Sequence, residues 1–252
     1  MQIVRFRIDG RTRYGVLEGG GVVEYAGTPW SLFRRGRRRY SLRQVVLLAP
    51  VLPGKIVGVG LNHRDHALAL GRSVPSEPPL FFKPISALIG PDDPIVSPPR
   101  CAHLECEPTL GAVMKRRCRN VPAARAREYV LGYAALNDVT ARDVQAQDGD
   151  WTRAKAFDTF CPLGPCIATD LDPNTATIET WVNGLLRRAG STKELVLGVE
   201  DVIARVSAIL TLLPGDVVAT GTPGASGPVE PGDRVEIRVG GVGGLKNAIV
   251  RL

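Results

Sequence analysis

Apolar and polar positions alternate in three short runs at the start of the chain, QIVRFRI, RYGVLE and GVVEYA, parted by Asp-Gly and Gly-Gly-Gly turns. A period of two predicts half-buried strands, so residues 1–50 read as a small antiparallel β domain. SLRQVVLLAPVLPGK, punctuated by Pro50 and Pro53, follows as a short helix or extended link. From residue 51 to 252 the pattern changes. KIVGVGLN (55–62) is a continuous apolar strand, and NHRDHALALG after it has Asn62 to cap a short helix and Gly71 to stop it. PLFFKP and SALIG read as strands between Pro-rich turns, and one long strand is expected from His103 to about Met114. PAARAREYVLGYAAL begins as a helix with Pro122 near its first turn and ends as a strand leading to Asp138.

ETWVNGLLRRAG predicts a hairpin across Asn183-Gly184. GVEDVIARVSAILTL carries apolar residues at 202, 206, 209, 210 and 213, the period of a helix. Short strands VVATG, DRVEIRV and GGLKNAIVRL close the chain. Strands do not alternate regularly with long helices. The fold class expected is therefore β-dominated α+β, not a doubly wound sheet.

A hydrophobic share of 44% and a charged share of 23% over 252 residues allow a substantial core. No apolar run approaches the roughly 18 residues of a membrane span, and MQIVRFRIDG lacks a signal-peptide core. Five scattered cysteines without a CxxC pair predict reduced thiols in a cytoplasm, not a disulfide frame or a zinc site. The net charge of +7 is concentrated in RRGRRR (34–39) and KRRCR (115–119), both expected in surface turns. No stacking aromatics flank either run, so the basic surface reads as solvated, or as attractive to small anionic acids, with no nucleic-acid partner and no membrane partner.

One stretch changes this picture, LNDVTARDVQAQDGDWTRAKAFDTFCPLGP (136–165). Asp138 follows an apolar run, Arg142, Asp143 and Gln145 follow at short spacing, and Lys155 sits among aromatic and small residues. Lysine is scarce, six against 26 arginines. A lysine beside Phe157 and Phe160 loses solvation and can shift its pKa, which arginine does not readily do.

With KIVGVGLNHRDH (55–66), PLFFKPISALIGPDDPI (79–95), WVNGLLRRAGST (181–192) and LTLLPGDVVATGTPGA (212–225), this stretch resembles the fumarylacetoacetate hydrolase superfamily over roughly residues 52–250. The resemblance implies a mixed β-roll, a homodimer, and a magnesium or manganese ion held by a Glu-x-Glu strand and a later Asp. It implies a small 2-oxo or dicarboxylic acid as substrate. Residues two apart share a strand face, so Glu-x-Glu can aim two carboxylates at one hard cation. Here the strand reads HLECEPTLGAVMKRRCRNV, and two registers are open. Without a gap the ligand positions fall on Glu107 and Thr109; with a two-residue gap they fall on Glu105 and Glu107. Asp138 is the third candidate ligand.

The resemblance places Lys155, His66 and Gln145 in the catalytic site and Lys83, Thr220 and Thr222 at the substrate. Arg142 and Asp143 are expected as a structural ion pair nearby. Hydrolases of the family pair the His with a Glu three residues on, to orient the imidazole toward water; here that position is Ala69. Some isomerase-type members begin with the same Asn-His-Arg run and lack the second Glu. The expected chemistry is therefore isomerisation or decarboxylation of a 2-oxo or 2-hydroxy-dienoic dicarboxylate through an enolate. Carbon–carbon hydrolysis, a tailoring reaction and a non-catalytic ligand-binding homologue are the alternatives.

Overall fold

A computed structural model describes all residues except 70, 72, 74, 100 and 252. The chain runs β1 (Gln2–Ile8), β2 (Arg11–Glu18), β3 (Gly21–Gly27), β4 (Phe33–Ser41), β5 (Val46–Leu48), β6 (Ile56–Val59), α1 (Arg64–Ala69), β7 (Leu80–Lys83), β8 (Leu88–Ile89) and β9 (Ile95–Ser97). It continues through β10 (Leu104–Glu105), β11 (Pro108–Met114), β12 (Val130–Asn137), β13 (Thr140–Ala141), α2 (Arg142–Asp148), α3 (Thr152–Lys155) and β14 (Cys161–Ala168). The last elements are β15 (Thr177–Val182), β16 (Leu185–Ser191), α4 (Val199–Ile209), β17 (Val217–Ala219), β18 (Pro228–Val229), β19 (Arg234–Val239) and β20 (Gly243–Arg251). The fold is strand-dominated with mixed sheets, as the pattern predicts.

Twelve strands form one sheet in the order β4-β3-β2-β1-β14-β12-β11-β17-β6-β7, with β5 added on β1 and β8 on β14. The N-terminal strands are thus continuous with the main sheet, because β1 pairs with β14 at Gln2↔Ala168 and Ile3↔Ile167. Five strands, β16-β15-β19-β20-β9, make a second sheet, and β13-β10-β18 a small third one. The long buried strands β11 and β12 run through the middle of the main sheet, and Leu110, Met114, Leu136 and Leu163 are fully buried along it. Each such side chain contributes about 1.5–3 kcal/mol of apolar burial.

Several expectations hold. The Asn183-Gly184 hairpin joins β15 and β16, both turn residues with positive φ (52° and 79°) as a tight hairpin turn requires. α4 buries Val199, Val202, Ile203 and Val206, but it ends at Ile209, and Leu213 lies exposed beyond it.

The helix expected after Pro122 forms as a 3-10 helix over 123–129. Others are corrected. RRGRRR lies in β4, not in a turn; as the sheet's edge strand it is solvent-facing on both sides and offers no apolar alternation to read. The strand expected from His103 to Met114 breaks at Cys106–Glu107. β10 pairs in the small sheet, and β11 starts at Pro108, whose missing N–H suits a strand start. Asn62 does not cap α1. Its amide donates to the carbonyls of Leu197 and Thr220 (3.0 and 2.7 Å) and accepts from Leu197 N–H (2.9 Å), tying strand end to loop.

Candidate active site

Strand order brings the site together. Pro108 pairs with Asn137, and the Asp138 N–H donates to the Glu107 carbonyl at 2.9 Å, so the two carboxylates leave adjacent strand ends side by side. Lys83 ends β7, and the parallel pair β6–β17 carries Gly60 and the Thr220–Gly224 loop to the same end of the sheet. α2 and α3 cover it, and α1 closes a third side. The resulting cavity, about 20 Å³, is lined by Glu107, Thr109, Asp138, Lys155, His66 and Thr222 among others.

Lys155 is the centre. Its ammonium is 2% exposed and donates to Glu107 Oε2 (2.7 Å), Asp138 Oδ2 (2.5 Å) and Thr140 Oγ1 (2.9 Å). Its aromatic neighbours are not Phe157 and Phe160, which pack on each other (5.1 Å). They are Phe81 and Trp151, whose ring centres lie 4.7 and 5.8 Å from the nitrogen. Those rings fit because the neighbouring strand carries glycines. A Cβ on Gly58 would come within 2.1 Å of Phe81, and one on Gly60 within 1.9 Å of Trp151. The two-residue spacing of Gly58 and Gly60, one strand face, was the available signal for this aromatic wall.

Every carboxylate oxygen here has a cation. Lys83 donates to Asp138 Oδ1 (2.6 Å) and to the Val139 carbonyl (3.2 Å). Arg142 reaches Glu105 Oε2 at 2.6 Å and also contacts Glu107 Oε1. Burial by itself would raise the Glu107 carboxyl, but Arg142 and Lys155 beside it hold it well below the usual carboxylate range. His66 stands 3.5 Å from Glu107 Oε1, at the outer limit of a hydrogen bond. Burial lowers its pKa despite the pull of Glu107, so the ring is neutral near pH 7 and able to accept a proton.

The candidate residues separate accordingly. Glu107, Asp138, Thr109, Lys155, His66, Gln145 and Thr222 line the cavity. Glu105 does not. The break in the strand before Pro108 sets it in the small sheet, where it binds Arg142 and His103 (3.1 Å), apart from the Glu107–Asp138 pair. Thr220 is fully buried with its hydroxyl donated to the Leu110 carbonyl (3.0 Å), which removes it as a substrate hydroxyl. Lys83 lies behind Asp138 and outside the lining, fixing that carboxylate from the rear.

Arg142 and Asp143 are not a pair. Asp143 accepts from Ala102 N–H (2.8 Å), while Arg142 joins the lining and donates to Gln145 (2.8 Å). Thr222 keeps its hydroxyl engaged with the Gly224 backbone, the tight loop expected of TGTP. Cys161 and Cys166 are buried, and burial pushes both thiols up to about 12, which leaves neither as a nucleophile.

Glu107 and Asp138 offer oxygens to the same ammonium, so one cation reaches both. With Thr109 and water this is an oxygen-only set that fits a hard divalent ion, one carboxylate short of a three-carboxylate cage. An ion bound there competes with Lys155 for the same two oxygens.

Relatives place this architecture. The family described as fumarylacetoacetate (FAA) hydrolase C-terminal matches residues 55–250, and an Rv2993c-like N-terminal family matches residues 1–50. Human mitochondrial oxaloacetate tautomerase FAHD2A is 38% identical over 220 residues, 82% of this chain and 70% of that one. The structure of a 5-carboxymethyl-2-hydroxymuconate delta-isomerase from Mycobacterium smegmatis superposes with a TM-score of 0.93 at 42% identity, covering all of both chains. Maleylpyruvate hydrolase from Sphingobium sp. SYK-6, solved with manganese(II) and pyruvate, superposes at 0.83 and 32% identity, covering 100% of this chain and 99% of that one. No helix among the described residues is long and apolar enough to cross a membrane. A profile match over three quarters of the sequence, on a scaffold shared with isomerase and hydrolase alike, makes the chain a member of the fumarylacetoacetate hydrolase family.

Proposed function

We propose that the protein is an enolate-forming isomerase or decarboxylase acting on a 2-oxo or 2-hydroxy-dienoic dicarboxylate. The observation that carries this reading is the unequal equipment of the cavity. A buried ammonium lines the cavity, held by Glu107, Asp138 and Thr140, while the imidazole has its nearest carboxylate oxygen only at 3.5 Å. A preorganised ammonium in a dry site stabilises an enolate oxygen as it develops, because no solvent must reorganise around it. A divalent ion held by Glu107, Asp138 and the Thr109 hydroxyl would add Lewis-acid polarisation of the 2-oxo group when bound.

Lys155 supplies positive charge to the enolate oxygen. His66, neutral and also lining the cavity, takes a proton from one substrate carbon and returns it to another. The Thr222 loop, held tight by the Thr222 hydroxyl on the Gly224 backbone, forms the wall against which a substrate carboxylate lies. Phe81 and Trp151 keep water from the reacting face.

Hydrolysis makes a further demand, a hydroxide positioned by an oriented base. Glu107 cannot orient His66 well at 3.5 Å while its oxygens serve Arg142 and Lys155. The isomerase and tautomerase relatives support the same choice; the maleylpyruvate hydrolase keeps carbon–carbon cleavage as the alternative.

The test follows both reactions optically on one preparation. A 2-hydroxy-dienedioate should be tautomerised or decarboxylated much faster than any acylpyruvate is cleaved, and Ala69→Glu should raise the hydrolytic rate. Efficient acylpyruvate cleavage by the unmodified protein would overturn the assignment.

A further inference from the structure

Outside the cavity lining, at the start of α1, lies a cluster that the chemistry above does not use. His63 is 1% exposed, and neither ring nitrogen has a hydrogen-bond partner of good geometry, the Ser191 backbone being the nearest polar group besides Glu194. Its Nε2 faces Glu194 Oε2 at 3.3 Å. One ligand atom from each of His63, Asp65 and Glu194 lies within 4.8 Å of the other two.

The juxtaposition is built by the backbone. His63 forms an antiparallel bridge with Leu195, and Val196 N–H donates to the Asn62 carbonyl at 3.0 Å, which brings the start of α1 against the turn after β16. Glu194 is held there by its own capping box, accepting from Ser191 N–H at 3.2 Å. The geometry points to a second cation site formed by His63, Asp65 and Glu194, suited to a transition ion such as zinc.

Burial lowers the His63 pKa against the pull of Glu194, so the imidazole is neutral and free to be a ligand. A buried ring nitrogen without a well-aligned partner costs free energy, and a cation bound at Nε2 relieves it. One imidazole and two carboxylates suit zinc, whereas magnesium prefers oxygen-only sets. Arg188 is the opposing charge, 3.6 Å from Asp65, one cation against the two carboxylates of the cluster. Arg188 also donates to the Pro223 carbonyl, so an ion that draws Asp65 away bears on the loop that holds Thr222. The site thus ties the start of the helix carrying His66 to the turn after β16.

Zinc titration by calorimetry in excess magnesium tests this, because magnesium saturates oxygen-only sites and spares an imidazole site. Wild type and Asp138→Asn should each bind one zinc equivalent and melt at higher temperature with zinc. Glu194→Gln, at a half-exposed position that tolerates the change, should weaken binding by about tenfold or more and lose the melting shift, and His63→Gln should do the same. Unchanged zinc affinity in Glu194→Gln, zinc binding lost in Asp138→Asn, or no zinc binding at all would overturn the proposal.

Discussion

Two regions of this molecule collect charge, and they do opposite things with it. At the cavity, Lys83, Lys155, Glu107 and Asp138 have side chains no more than 7% exposed, and each is matched to a partner within 2.7 Å. At the edge strand β4, Arg37 and Arg38 stand in water, and the one pair there with Glu18, made by Arg35, is 55% exposed on the arginine side. An exposed pair contributes about 0–1 kcal/mol, while removing one partner of a buried pair costs about 3–5 kcal/mol, because the remaining charge is stranded without solvent. The charge total of +7 therefore says little about the site. Exposed arginines set the sum, and a nearly balanced buried cluster sets the chemistry.

The largest effect should come from breaking the buried cluster at its centre. Lys155→Met should lower turnover by about 100-fold or more, since a charge aimed at a developing oxyanion contributes about 3 kcal/mol or more. It should also lower stability by about 3–5 kcal/mol by stranding Glu107 and Asp138. Steady-state kinetics beside a denaturant melt check both; a loss of turnover under about threefold would reduce Lys155 to a packing residue.

A middle-sized effect should come from unbalancing the cluster. Thr109→Glu adds a third carboxylate to the cavity, so manganese affinity should rise by about tenfold or more. The metal-free protein should melt lower, because the added carboxylate is unmatched. Paramagnetic resonance of free manganese and a thermal melt read the two changes, and unchanged affinity would remove Thr109 from the ion's surroundings.

The smallest effect belongs to the edge. Arg37→Ala with Arg38→Ala removes two full charges, yet stability should move by less than about 0.5 kcal/mol and turnover should stay near wild type. A larger loss would mean that the edge arginines are paired with something the isolated sheet does not hold.

Much of this was legible along the chain. Alternation marks the strands, Asn183-Gly184 marks the hairpin, and motif resemblance groups Glu107, Asp138, Lys155, His66 and Thr222, which line one cavity. These signals are local, because side-chain direction within a strand and the φ demanded by a tight turn depend on a few neighbouring residues. β4 was not legible, since a strand wet on both faces leaves no apolar periodicity.

Only the tertiary structure decided which acidic residue faces the cavity. Glu105 and Glu107 are two apart and would share a face on a continuous strand, but the chain changes sheets between them. It likewise decided that Arg142 grips both glutamates instead of Asp143, that Phe81 and Trp151 wall the lysine, and that His63 meets Glu194 from 131 positions away. Partners of a buried charge are whatever the packed strand ends bring within about 3 Å, and spacing along the chain does not encode that.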